Sequence, residues 1–107
     1  MIIFTDGACR RSSSEHLRRA GFGVSWGEGH PSNVSQPLQG YAQTNQRAEL
    51  TAAIWAIQMD PRCLHIKTDS EYVLKGAARH SIWQKRGWKG ENRDLWEVLG
   101  AELTQTP

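Results

Sequence analysis

Apolar and polar positions change period twice along this chain. Ile2 to Thr5 is a short apolar run rich in branched and aromatic residues, which predicts a strand. Gly7 to Arg19 is polar and aperiodic, with a Ser12-Ser13-Ser14 run, and predicts a loop. Ala20 to Trp26 alternates, with Phe22, Val24 and Trp26 on one face, and predicts a second strand. Gly27 to Ser35 carries turn signals, and a weaker third strand is expected around Gln36 to Ala42, with Pro37 marking an edge or a strand start. Strands joined by short links predict an antiparallel meander. The period then becomes helical: Leu50, Ala53, Ile54 and Ile57 fall at i, i+3, i+4 and i+7 of a helix from about Asn45 to Met59. Thr44 or Asn45 can cap its start and Asp60-Pro61 ends it.

Leu64 to Thr68 predicts a fourth strand, and a strand–helix–strand order predicts that it runs parallel to the first. Asp69 or Ser70 caps a helix to about Ala78, Ile82 to Trp88 forms a short helix with a turn at Gly87, and Asn92 caps a last helix with a Leu95, Val98, Leu99 and Leu103 stripe. The expected fold class is α/β, with a mixed sheet and helices packed on it. Residues 1–107 are expected to form a single domain with one modest core.

Composition is that of a globular protein, and no stretch is long and apolar enough to span a bilayer. Met1 to Phe4 is too short for a signal peptide, so an intracellular protein is expected. Net charge is only +2, but its distribution matters more. Lys75, Arg79, His80, Lys85, Arg86 and Lys89 cluster in one segment, with Trp83 and Trp88 among them. That pattern fits a solvated helix face, or a groove that contacts phosphates and sugars. Cys9 and Cys63 give neither a disulfide framework nor zinc spacing. Cys63 reads as a small buried apolar residue, and Cys9 has no evident paired base.

The chemistry rests on three carboxylates. Asp6 and Asp69 close the first and fourth strands, and Glu49 lies in the first turns of the long helix. If those strands are adjacent and parallel, both aspartates leave at one sheet edge, where ligands of α/β sheets collect. The helix would bring Glu49 over the same point. Three acids so close repel unless cations compensate them, and Mg²⁺ prefers such oxygen ligands. Two ions ~3.5–4 Å apart can activate a water and stabilise the leaving oxygen of a phosphodiester. Taken singly, each acid reads as a turn, a surface or a cap residue.

Five segments, in order, carry a resemblance: Phe4-Thr5-Asp6-Gly7, Thr44 to Ala53 with its Asn45-Gln46-Arg47-Ala48-Glu49-Leu50 core, Thr68 to Val73, Trp83 to Lys89, and Asn92 to Trp96. The chain resembles type 1 ribonuclease H, including the RNase H domains of reverse transcriptases. The resemblance implies an RNase H-like fold that cuts the RNA strand of RNA–DNA hybrids with Mg²⁺, or Mn²⁺ as substitute. It implies Asp6, Glu49 and Asp69 as metal-binding acids. Cys9, Asn45 and Gln46 match hybrid contacts, Thr44 a DNA-phosphate contact, and Trp83, Lys85, Arg86, Trp88 and Lys89 the substrate-gripping segment.

The chain departs from the family at Arg10 to Ser14, where an Asn-Pro-Gly-type loop is usual, and in the short Trp88–Asn92 segment. The family also continues with a fifth strand, a loop with a histidine, and a final helix with a fourth acid. The resemblance therefore implies a fold without its last strand and helix, and impaired activity. The alternative is a catalytically inactive module that binds hybrid or duplex. A protein partner or longer parent chain that completes the fold is the remaining expectation.

Overall fold

The computed structural model describes residues 2–10, 19–40, 42–60, 65–88 and 90–105. The order is β1 (Ile2–Arg10), β2 (Arg19–Ser25), β3 (Val34–Pro37), α1 (Asn45–Met59), β4 (His65–Lys67), α2 (Glu71–Ala78), α3 (His80–Arg86) and α4 (Arg93–Gln105). The sheet runs β3-β2-β1-β4. β1–β2 and β2–β3 pair antiparallel, and β1–β4 parallel. The expected mixed sheet is therefore present. No helix among the described residues is long and apolar enough to cross a membrane.

Several boundaries differ from the sequence expectation. β1 does not stop at Thr5: it pairs with β2 from Phe4↔Ser25 to Arg10↔Arg19, so Asp6 lies mid-strand and only the β4 pairing has ended before it. Asp6-Gly7 reads as a turn in isolation, but pairing with Gly23 and Phe22 of β2 keeps it extended, and the Gly7 amide donates to the Asp6 carboxylate. β3 lies earlier than expected and ends at Pro37, consistent with an edge position. β4 is short, and Cys63 lies outside the described residues.

α1 is the centre of the packing. Thr44 caps it, its hydroxyl accepting from the Arg47 amide at 3.2 Å. The stripe Leu50, Ala53, Ile54 and Ile57 packs with Val73, Trp88, Trp96 and Leu99. Another face, Ala48, Ala52 and Ala56, packs on Ile3, Ala20, Phe22, Val24 and Leu38 of the sheet side. Alanines there let the helix axis approach the strands closely. The core thus has two parts divided by one helix. Full burial of Ile3, Val24, Leu50 and Leu99 contributes roughly 1.5–3 kcal/mol each.

Ser70, not Asp69, caps α2, accepting from the Val73 amide. α3 runs from His80 into Gly87 at φ 81°, and buries no residue of its own. α4 turns Trp96 and Leu99 inward with Leu95 and Leu103, whereas Val98 of the expected stripe is exposed. Asn92 precedes α4, but its side chain reaches across to Arg47 and Tyr72.

Candidate active site and nucleic-acid interface

The parallel register aligns the two aspartates. Phe4 pairs with Lys67, so two residues further on Asp6 and Asp69 stand level, past the end of the β1–β4 ladder. α1 crosses β1 just there. A Cβ built on Gly7 would lie 2.5 Å from the Glu49 amide nitrogen and 2.6 Å from the Ala48 carbonyl carbon. Glycine is required by this approach of backbone to backbone. The sheet edge thus gathers the backbones of Asp6, Glu49 and Asp69.

Their side chains are oriented differently. Along β1, Ile3 and Thr5 are buried beneath α1, while Ile2, Phe4 and Asp6 are exposed on the alternate face. Asp6 Oδ1 accepts from the Gly7 amide at 2.9 Å. Glu49 Oε2 accepts from the Ser70 hydroxyl at 2.5 Å, and Asp69 is exposed. Among the described residues, no three His, Cys, Asp or Glu side chains form a group able to hold a metal ion. The donor chemistry, carboxylate oxygens beside one sheet edge, suits a hard divalent cation.

Ser70 has a signal in the sequence only as a helix cap. In the structure its buried hydroxyl donates to Glu49 and accepts from Val73, while its amide donates to Thr68 Oγ1 at 3.1 Å. It therefore fixes α1 against the β4–α2 junction. Gln43 had no signal. Its side chain accepts from the Ala20 amide at 2.7 Å and donates to the Leu38 and Gly40 carbonyls, and its own carbonyl accepts from Cys9 Sγ at 3.2 Å. These bonds tie the segment entering α1 to the sheet.

The remaining expected contact residues divide into two groups. Cys9 is half-buried on β1, Thr44 is half-buried at the cap, and Asn45 and Gln46 are exposed on the first turn of α1. On α3, Trp83 is half-buried and Lys85 and Arg86 are exposed. Trp88 is only 7% exposed, stacked on Trp96 at 5.1 Å and 10° and on Trp83 at 6.3 Å and 22°. In this structure it packs behind Trp83. Lys89 lies outside the described residues. An open cleft of about 460 Å³ lies beside this stack, lined by Tyr72, Lys75, Arg79, Trp83 and Glu91 among others.

A mixed sheet with a parallel fourth strand, crossed by α1 and flanked by three further helices, defines an α/β domain. The RNase H family model matches residues 1–106, and the chain belongs to the RNase H family. It is 43% identical over 94 residues to human Ribonuclease H1, covering 83% of this chain and 32% of that protein. It is 39% identical over 113 residues to Ribonuclease H of Alkalilimnicola ehrlichii, covering 94% of this chain and 72% of that protein. The chain thus spans about a third of the length of the mammalian relatives it matches. A solved foamy viral protease-reverse transcriptase in complex with dsDNA superposes with a TM-score of 0.76 at 23% identity. That match covers 96% of this chain and 73% of the viral one, and bears on the fold.

Proposed function

We propose that this domain hydrolyses the RNA strand of RNA–DNA hybrids, with a divalent cation, Mg²⁺ or Mn²⁺, held by Asp6, Glu49 and Asp69. The observation that supports the reading is the approach of α1 at Gly7, where the Glu49 backbone nitrogen lies against the residue after Asp6, next to the register that aligns Asp6 with Asp69. Membership of the RNase H family supports it. A bound divalent cation supplies charge neutralisation at the scissile phosphate and activation of the attacking water. The protein's own residues hold, orient and read. Ser70 orients the Glu49 carboxylate. Asn45 and Gln46 present amides that can hydrogen-bond a 2′-hydroxyl, the group that separates RNA from DNA. Thr44 keeps its O–H for a phosphate oxygen while its lone pair caps α1. Lys85 and Arg86 contact phosphates, and Trp83 offers a flat apolar face.

The test is release of labelled RNA from a hybrid by the purified chain with Mg²⁺ or Mn²⁺, beside EDTA and Asp6→Asn controls. Cutting that EDTA and the mutation both abolish is the expected result. Equal release by both proteins would refute the reading.

A second reading is favoured by the carboxylates not converging among the described residues. On it, the domain binds hybrid or duplex without cutting. Salt-dependent binding without turnover would support it, and binding that survives loss of Lys85 and Arg86 would argue against it.

A further inference from the structure

We propose that Arg47 is a positioning residue, which fixes the tryptophan stack and helix α3 at a set distance from the first turn of α1. This rests on the nucleic-acid reading above, and adds what sets the spacing between the two halves of that interface. Arg47 projects from the turn that carries Asn45, Gln46 and Glu49. Its guanidinium forks onto Asp94 at 2.9 and 2.8 Å, and Nη1 also donates to Asn92 Oδ1 at 3.2 Å. Asn92 Nδ2 donates to the Tyr72 hydroxyl at 3.2 Å, and Trp96 Nε1 donates to the same oxygen at 2.9 Å. Trp96 stacks on Trp88, and Trp88 on Trp83 of α3. One unbroken series of contacts therefore runs from α1 through α4 and α2 to the basic helix.

Two features make this more than general stabilisation. Asn92 holds φ 62°, a left-handed conformation that non-glycine residues adopt at a cost of order 1 kcal/mol. It thereby aims one amide at Arg47 and Tyr72 together. α3 buries no residue of its own, and its partly buried contact with the core is Trp83, packed against the stack. Losing the polar links should loosen the stack and move α3 while the sheet-side core cluster persists.

The experiment compares Arg47→Lys and Tyr72→Phe with the unmutated chain, well below their melting temperatures. Lysine keeps the charge but cannot fork, and phenylalanine keeps the ring but loses the shared oxygen. Three readouts are taken: near-ultraviolet circular dichroism of the indole stack, anisotropy binding of a labelled RNA–DNA hybrid in EDTA across salt, and kcat against KM with Mg²⁺. The expected result is an altered near-ultraviolet spectrum, binding weakened about three- to tenfold with a shallower salt slope, and kcat preserved. Folded variants with the unmutated spectrum, affinity and salt slope would overturn the proposal. If the unmutated chain binds no hybrid, the nucleic-acid reading fails instead. The spectra then decide the coupling, and an unchanged spectrum overturns it.

Discussion

Replacing Gly7 with alanine tests the geometry at its tightest point. The added carbon would sit 2.5 Å from the Glu49 nitrogen, 2.6 Å from the Ala48 carbonyl carbon and 2.8 Å from the Ala48 Cβ. All three atoms belong to a helix packed on both sides, and none is the end of a flexible side chain. Relief to an ordinary ~3.5–4.0 Å carbon contact needs a helix shift of about 1 Å. Overpacking of this kind costs about 1–3 kcal/mol, which lowers the melting temperature of a domain this size by roughly 4–20 °C. The shift also carries Glu49 away from Asp6 and Asp69. On the proposed function, a displacement of ~1 Å lowers turnover about a hundredfold. Thermal melting by circular dichroism and hybrid cleavage at a temperature where the variant is folded are the assays. Gly21→Ala, whose added carbon would meet one carbonyl oxygen at 3.2 Å, is the milder comparison. A Gly7→Ala protein with the unmutated melting temperature and cleavage rate would refute the reasoning.

Three further perturbations have defined outcomes. Ser70→Ala removes the α2 cap and the Glu49 hydrogen bond together, and should destabilise by about 1–3 kcal/mol in a denaturant melt. Gly76→Ala drives a carbon into the buried Trp96 ring, 2.6 Å from Cζ3 and nearer still to its outer edge. Because that ring is stacked on Trp88, a loss of about 1–3 kcal/mol or more is expected, read by the same melt. The hydrogen bond from Arg47 holds the Asp94 carboxyl below its ordinary range, and the adjacent guanidinium charge adds to this. A depressed folded value means the contribution is present above the unfolded carboxylate pKa and lost as pH falls through the folded one. Asp94 is largely exposed, so the effect is below about 1 kcal/mol. Melts below pH ~4 should show it, and Asp94→Asn should remove that part of the acid slope.

The sequence is legible where one physical signal dominates. α1 is legible, with bounds close to those found, because a capping residue at Thr44 or Asn45, a 3.6-residue apolar stripe and Asp60-Pro61 agree. The stripe disclosed only the helix-facing side, however. Ala48, Ala52 and Ala56 are too weakly apolar to register, yet they form the face that meets the sheet. The same blindness affected β1, where Asp6-Gly7 reads locally as a turn and only the β2 ladder keeps it extended. Basic neighbours mark Trp88 as a nucleic-acid contact in the sequence, and nothing local discloses that it packs with Trp96 and Leu99. Gln43 and Arg47 act through partners 23 and 47 residues away, which no spacing rule reaches.

These differences share one cause. The three acids draw notice in the sequence because they read as strand ends and a helix start, but what brings α1 onto β1 beside Asp6 is the absence of side chain at Gly7 and its near-absence along Ala48, Ala52 and Ala56. Small residues leave little trace in a hydrophobic profile, and here they let a helix axis descend onto a strand. The groups that then lock the helix are polar and few: Thr44 and Gln43 at its entry, Ser70 at Glu49, and Arg47 towards α4. Thr44 caps the helix's own first turn, whereas Gln43, Ser70 and Arg47 each reach a different part of the fold, so a shift of α1 strains at least one of those three. The backbone geometry around Asp6 and Glu49 is thus set by packing, and their carboxylates already accept from the Gly7 amide and from Ser70.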